Sequence, residues 1–449
     1  MGHQLVDWMA DYLARSETYP VVARVQPGEL VAALPAGGPE SGESMEQIFD
    51  DFQKRILPGI THWNHPGFMA YFATSSSGPG ILGEMLAAAL NANGMLWKTS
   101  PAVTELEQVT LSWLRQWIGL PEEFFGIIYD TASVSSMHAI AAAREFAAPE
   151  CRESGAVNDL TLYCSEQAHS SIEKSAIAIG VGRRNVRKIA VDAEFRMRPD
   201  ALEQAIASDL AAGKRPFCVV ATTGTTSTTS IDPVPAIAAI AQVHNLWLHV
   251  DAAYGGAAAV VPEYRHVLDG ADHADSLVVN PHKWLFTPVD LSVLYTRRPD
   301  ILRRAFSLTP EYLRTQEDPR VVNLMDYGVP LGRRFRALKL WFVLRYYGRD
   351  GIASIIRRHI QCAQELSRQI EADDRFELCA PAPLSVVCFR LRASDEENRL
   401  LLDRVNADGS VFLSHTVLNG RFVIRLAVGN METTREHVQN AWNLVKSLA

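Results

Sequence analysis

The chain has 449 residues, too many for one ordinary domain and enough for two or three at roughly 150 residues each. Hydrophobic residues make up 47% and charged residues 21%, which excludes a disordered chain and supplies apolar material for large cores. With 43 Lys+Arg against 51 Asp+Glu the net charge is −8, a balance that argues against nucleic acid as a partner.

Residues 1–75 read as a helical, loosely punctuated segment. Leu5, Trp8, Met9 and Tyr12 fall at helical spacing, and Asp7 and Asp11 among them argue against a secretory signal. Pro27-Gly28 and the stretch from Pro35 to Pro39 break the chain; Ile48, Phe52, Ile56 and Leu57 mark a second amphipathic helix that Pro58-Gly59 ends. Such a segment has little core of its own and is expected to pack on a partner subunit. In residues 76–338 short apolar runs alternate with helical segments. Phe217–Thr222, Leu246–Val250 and Ser276–Asn280 read as buried strands, and Pro235–His244 as the helix between the first two. That alternation predicts an α/β domain with a mostly parallel sheet. Residues 339–449 read as a smaller α+β domain. Ile352, Ile355, Ile356, Ile360, Ala363, Leu366 and Ile370 lie on one long helix, Val386–Leu391 and Phe422–Val428 are strands, and Val438 to Leu448 closes as a helix.

No run approaches the ~18 apolar residues of a membrane span, so no membrane association is expected. Six scattered cysteines without a CxxC pair suit a reduced, cytoplasmic protein. His62 and His65 are spaced HxxH but lack companion ligands, so no metal site is expected.

Ligands of open α/β sheets gather at the carboxyl ends of strands. There the sequence places Thr222 and Thr223, Asp251, and the trio Asn280, His282 and Lys283. A lone buried lysine is more often an ion-pair partner than a catalyst; Asp251 in HVDAAYGG and Lys283 in NPHKW, each at a strand end, change that balance. A Schiff-base lysine needs a partly desolvated amine, and a pyridoxal cofactor needs a carboxylate beside its ring nitrogen. Its phosphate needs the N–H groups of a helix N-terminus, and Thr131-Ala132-Ser133 precedes the Ala-rich helical run Val134–Phe146. His169, in Gln167–Ser171, offers an imidazole that can stack on a cofactor ring.

The blocks SEQAHSSIEKS, ATTGTTSTTSID, WLHVDAAYGG, NPHKW and PLGRRFRALKLWFVLRYYG resemble the signature blocks of the group II pyridoxal-phosphate decarboxylases, in particular the aromatic-L-amino-acid decarboxylase branch. The similarity runs from GHQLVDWMADYL through THWNHPGFMAYF to the C-terminal helix. It implies the aspartate-aminotransferase type I fold with an N-terminal helical extension, and an interlocked homodimer with shared active sites. It also implies roles. Lys283 holds pyridoxal 5'-phosphate, Asp251 pairs with the pyridine nitrogen and His169 stacks on the ring. Ala132, Ser133 and Asn280 bind the phosphate with Thr131 and Ser276 nearby, Thr222 and Ala253 touch the ring, and His282 assists proton movement. Trp63, Tyr71, Phe72 and Thr74 match the substrate-side wall, and Tyr312 matches a proton-donating tyrosine on a loop from the other subunit. Relatives with Phe at the Tyr312 position form aldehydes, so Tyr312 and His169 imply amine formation.

Several positions depart from the pattern or bear on the substrate. Asp130 stands before the phosphate loop where relatives have Gly, and Ala73 replaces a proline. Asn93 and Met95 replace more apolar pocket residues of animal enzymes, and Gly332 matches a small residue found in plant relatives that favour indolic substrates. The expected activity is decarboxylation of tryptophan, tyrosine, phenylalanine or dopa. The alternatives are an acidic amino acid decarboxylase, an aldehyde-forming oxidative decarboxylase, and a catalytically silent homologue.

Overall fold

The structure, a computed structural model, describes residues 1–155, 157–308, 313 and 315–449. Tyr312 lies outside the described residues. Seven strands form one sheet: β1 (Phe125–Tyr129), β2 (Leu160–Ser165), β3 (Val186–Ile189), β4 (Arg215–Thr222), β5 (Trp247–Asp251), β6 (Ser276–Val279) and β7 (Ser292–Thr296). Their order is β1-β7-β6-β5-β4-β2-β3. Pairing among β2 to β6 is parallel, and β7 runs against both of its neighbours, β6 and β1. The three strands expected in residues 217–280 are β4, β5 and β6.

These strands are apolar on both sides because both sides are covered. Val219, Ala221, Val250 and Leu277 point into the layer that holds the Pro101–Ile118 and Val234–Val243 helices. Cys218, Val220 and Trp247 point the other way, into the layer of the Ala132–Ala147 helix. With β7 alone reversed, the carboxyl ends of β1, β2, β4, β5 and β6 open on one side of the sheet.

The second sheet is antiparallel, in the order β10-β11-β9-β8: β8 (Phe376–Leu378), β9 (Val386–Leu391), β10 (Ser414–Leu418) and β11 (Arg421–Ala427). Leu401 and Val405 of the Asp395–Asp408 helix and Trp442 and Val445 of the Arg435–Leu448 helix pack against its Phe389 and Ile424. Both helices begin with a capping box, Ser394 with Glu397 and Thr434 with His437. The Arg336–Glu371 helix precedes this sheet and is interrupted at Gly348, whose φ is 63°. The long amphipathic helix expected over 352–370 is its second half, and the sequence-based partition at 338/339 falls within its first half.

The N-terminal helices Gly2–Ala14 and Met45–Asp51 contain no fully buried residue. Trp8 stacks on Tyr12 and meets Phe49 and Phe52 edge-on, while Val6, Met45 and Ile48 stay exposed. The firm attachment comes later in the chain. Val21 is wholly buried and its N–H donates to Gly409, and residues 67–69 thread into the second sheet through Phe412 and Ala427. No helix among the described residues is long and apolar enough to cross a membrane.

Burial holds a set of histidines neutral. His65, His138, His249 and His282 are pushed down to about 4, and His359 to about 3. These folded values lie below the unfolded value of about 6.5, so between those limits the unfolded chain binds more protons. Stability from these groups is complete above about pH 6.5 and is lost as pH falls towards 4. Asp232, raised to about 6 by burial, opposes them with one proton. The expected outcome is a urea midpoint that declines steadily from about pH 7 to about pH 5. A midpoint constant across that interval contradicts neutral burial of the histidines.

Candidate active site

Lys283 sits on a short helix, Pro281–Trp284, that starts where β6 ends, and its backbone N–H donates to Asn280. Its amine lies 5.3 Å from the centre of the Phe72 ring. Phe72 stacks on Tyr254 at 3.6 Å, and Tyr254 stacks on Trp284 at 4.5 Å, with ring planes within 9° in both pairs. The Trp284 indole N–H donates to His359 Nδ1 at 3.0 Å. This column of rings fixes the residue next to Lys283 on one side and the surface under its amine on the other. Burial pushes the amine below its ordinary value; Asp251 opposes and Arg425 adds to the depression. An amine held so is the nucleophilic form that Schiff-base chemistry needs.

Asp251 ends β5, between Thr222 on β4 and Val278 on β6, and one carboxylate oxygen accepts the Ala253 N–H at 3.1 Å. Ala253 in turn accepts from the Asn280 N–H. Thr222 is held from below: its N–H donates to the buried Asp232 carboxylate at 2.7 Å. The Thr222 hydroxyl is buried without a partner among the described residues. At Asn280 the hydrogen bonds dictate the amide's orientation. Leu291 N–H donates to His282 Nδ1, so the neutral ring carries its proton on Nε2 and donates to the Asn280 amide 3.2 Å away. The amide oxygen belongs at that contact, which turns the NH2 group to the buried position that has no partner among the described residues.

The Ala132–Ala147 helix begins at the carboxyl end of β1, with Thr131 as N-cap residue and Ala132 and Ser133 in its first turn. The Asp130 carboxylate is turned onto its own neighbour, accepting the Thr131 N–H at 2.5 Å and lying 3.2 Å from the Thr131 hydroxyl. It therefore takes up one backbone donor locally and leaves those of Ala132 and Ser133 for an anion. Ser276, expected near the phosphate, bonds within the sheet. It starts β6, level with His249, and its hydroxyl is committed. It accepts from the Trp247 indole at 2.8 Å and donates to His249 Nδ1 at 2.9 Å, and His249 Nε2 donates to Ser136 at 3.2 Å. Ser276 thus acts on the helix through Ser136 and does not itself reach the strand ends.

His169 follows β2 on the same side of the sheet. Its Nδ1 accepts from the Ser171 N–H and hydroxyl, which leaves the proton on Nε2. Burial lowers its pKa, Asp251 opposes, and Lys283 adds to the lowering, so all three groups share one electrostatic field. Trp63 stacks on Tyr71 at 6.0 Å beside Phe68, and both Trp63 and Tyr71 are exposed; Thr74 is half-buried two residues past Phe72. His62 bonds the Tyr12 hydroxyl and His65 accepts the Gly67 N–H.

Asn93, Met95 and Gly332 form a second group. Asn93 accepts the Arg333 N–H at 2.9 Å, and a Cβ on Gly332 would lie 3.7 Å from Asn93 Nδ2. Met95 packs with Leu96, Met325 and Leu313, the neighbour of Tyr312 in sequence. Arg333, nearly buried, is anchored to Glu107 at 2.9 Å and to the Ile128 carbonyl at 2.7 Å.

Sequence reasoning missed Tyr254, Trp284, Asp232 and Arg425. Tyr254 and Trp284 stand inside the quoted blocks. Arg425 is a cation within the apolar run FVIRLAV, a signal in itself. It is buried on β11, donates to the carbonyls of Thr226 and Ala70, and lies 5.0 Å from the Phe72 ring centre.

Ser276→Ala should leave the Trp247 N–H and His249 Nδ1 unpaired in the core and cost about 1–3 kcal/mol in urea unfolding. Wild-type stability in this variant contradicts the hydrogen-bonded chain.

The pyridoxal-dependent decarboxylase conserved domain matches residues 27–392. Tryptophan decarboxylase 2 of Oryza sativa subsp. japonica is 42% identical over all of this chain and 93% of its own length. Phenylacetaldehyde synthase of Arabidopsis thaliana is also 42% identical, over all of this chain and 95% of its own. The crystal structure of Oryza sativa TDC with PLP and tryptamine superposes with a TM-score of 0.96 at 37% identity, covering 99% of this chain and 96% of that one. Among the described residues, the Thr222 hydroxyl and the Asn280 NH2 group without partners, the first-turn N–H groups of Ala132 and Ser133, and the desolvated Lys283 amine suit pyridoxal phosphate. With its type I fold, the chain belongs to the pyridoxal-dependent decarboxylase family and is a PLP-dependent carboxy-lyase.

Proposed function

We propose that the enzyme decarboxylates an aromatic L-amino acid to the amine and CO2. The observation that carries this reading is the aromatic surface at the lysine: Phe72 under the Lys283 amine, backed by Tyr254 and Trp284, with Trp63 and Tyr71 beyond. A ring-bearing substrate gains stacking and apolar burial there. The relatives named for tryptophan decarboxylation and phenylacetaldehyde synthesis support the aromatic class.

When bound, the cofactor supplies a protonated ring that accepts the electrons of the breaking bond at the substrate's Cα. Lys283 would hold it through its amine. Asp251 would keep the ring nitrogen protonated, Thr222 and Ala253 would contact the ring, and His169 would lie against it. Thr131, Ala132, Ser133 and Asn280 hold the phosphate. His282, buried and neutral, orients Asn280 and Lys283. Tyr312 protonates Cα after CO2 leaves, which commits the product to an amine.

We place the enzyme in the cytoplasm as a homodimer with shared sites, built from segments 1–75, 76–338 and 339–449. The exposed apolar residues of the N-terminal helices, and Leu82, Met85, Leu86 and Leu90 on the Gly78–Leu90 helix, give a second copy a surface to bury. Met95 packs with Leu313, the neighbour of Tyr312 in sequence, which supports a role for the Asn93–Met95–Gly332 group near the proposed proton donor.

Purified holoenzyme supplied with tryptophan, tyrosine, phenylalanine and dopa should release CO2 and amine in equal amounts. Aldehyde with peroxide as main products contradicts the amine assignment; preferential turnover of glutamate contradicts the aromatic one. No turnover by cofactor-loaded enzyme contradicts both. Lys283→Ala should retain no cofactor after borohydride reduction and unfolding, whereas Tyr312→Phe should retain it and divert product towards aldehyde. Covalent cofactor in the Lys283 variant overturns the lysine assignment.

A further inference from the structure

We infer that Asp130 sets how firmly the enzyme holds its cofactor: its charge opposes the cofactor's phosphate at the turn of residues 131–133 and keeps the cofactor exchangeable. This deepens the proposed cofactor site and rests on its placement of the phosphate at that turn.

The turn opens the Ala132–Ala147 helix, with Thr131 as N-cap residue and Ala132 and Ser133 next. The first N–H groups of a helix have no partner within it, and together with the helix's partial positive charge they attract an anion. At this helix one anion is already built in. Asp130 Oδ1 accepts the Thr131 N–H at 2.5 Å and the Thr131 hydroxyl at 3.2 Å. Both donors of the N-cap residue are therefore engaged by a carboxylate of the chain itself.

A hydrogen bond satisfies an oxygen without cancelling its charge, so what matters is whether a cation neutralises Asp130. The cations of the region are committed elsewhere. Arg336 lies near enough to feel the charge of Asp130, yet its Nε and Nη2 donate to the two Asp290 oxygens at 3.0 and 3.1 Å. Arg333 is spent on Glu107 and on the Ile128 carbonyl. His138 also feels Asp130, but burial holds it neutral, with Nδ1 at the Val134 carbonyl and Nε2 accepting the Val329 N–H. No ion pair reaches Asp130 among the described residues; the neighbouring carboxylates Glu107 and Asp290 each have their own arginine.

A phosphate monoester brings about −1.5 to −2 charges to this turn. Asp130 is half-buried, so water screens it only in part, and like charges at such a place repel more strongly than in bulk solvent. The repulsion subtracts from the attraction of the first-turn N–H groups and does not abolish it, because the carboxylate is turned onto Thr131 and away from the donors of Ala132 and Ser133. The loaded fraction of the enzyme then follows the concentration of free cofactor.

The test measures the dissociation constant of pyridoxal 5'-phosphate by equilibrium dialysis of the full-length protein, with bound cofactor released by alkali and quantified, so that turnover plays no part in the readout. Asp130→Asn keeps an oxygen for the Thr131 N–H and removes only the charge; Asp130→Gly removes both. Each should bind the cofactor roughly tenfold more tightly than wild type. Ala132→Pro removes one first-turn donor while suiting the helix, since proline is favoured at the first helical position and Thr131 already has the extended backbone that precedes a proline, φ −131° and ψ 159°. It should bind roughly tenfold more weakly. Unchanged or weaker binding by Asp130→Asn, or by Asp130→Gly should the asparagine variant fail to fold, overturns the role of Asp130; with Ala132→Pro weakened, the phosphate placement still stands. Wild-type affinity in Ala132→Pro overturns that placement as well.

Discussion

The structure turns on one constraint: an amine must be kept short of its full charge at the edge of a pocket. A lysine left in water stays protonated and unreactive, and one buried without support swings away or pairs with the nearest acid. Here the depression comes from burial against the Phe72 ring, and Asp251, the nearest acid, occupies the next strand end and commits one oxygen to Ala253. The rest of the large sheet holds those strand ends level. Parallel pairing across β4, β5 and β6 puts Thr222, Asp251 and Asn280 on one rim, and two apolar layers remove water from both faces of the strands beneath them.

The polar groups under the rim serve the same end. Asp232 holds Thr222 from behind, and His282 orients Asn280. The Trp247–Ser276–His249–Ser136 chain ties the sheet to the helix whose first turn faces the same rim. Each is buried and each is satisfied by a specific partner, so their contribution lies in fixing geometry more than in adding stability. Asp130 illustrates how local bonding decides an electrostatic question. A carboxylate beside an anion site is unfavourable in the abstract, yet turned onto the Thr131 N–H it serves as a turn residue.

Much of this was legible in the sequence because parallel strands buried on both faces leave continuous apolar runs. FCVVAT, LWLHV and SLVVN each end at or beside the polar residue that lines the rim, so strand position and site residue were read together. The bonds of Ser276 were hidden for the complementary reason. Spacing along a strand tells which residues share it, but not which hydroxyls are already committed to neighbours distant in sequence such as Trp247 and Ser136. The ring column was equally hidden, since it joins Phe72, Tyr254 and Trp284 from three distant segments. The orientation of the Asn93 amide depends on a backbone N–H 240 residues away, which no local pattern encodes.

Lys283, Asp251 and Phe72 stand together at the sheet rim, and Met95 packs with Leu313, the neighbour of Tyr312 in sequence. In the proposed shared-site dimer, one subunit's rim works with the other's Tyr312. The most direct measurement is complementation. Lys283→Ala and Tyr312→Phe dimers, each unable to form amine efficiently, are mixed under conditions that exchange subunits, and the hybrid is purified by orthogonal tags and loaded with cofactor. The hybrid should regain amine formation, because one of its sites combines an intact Lys283 with an intact Tyr312 from the opposite subunit. A verified hybrid that forms no more amine than its parents contradicts the shared site.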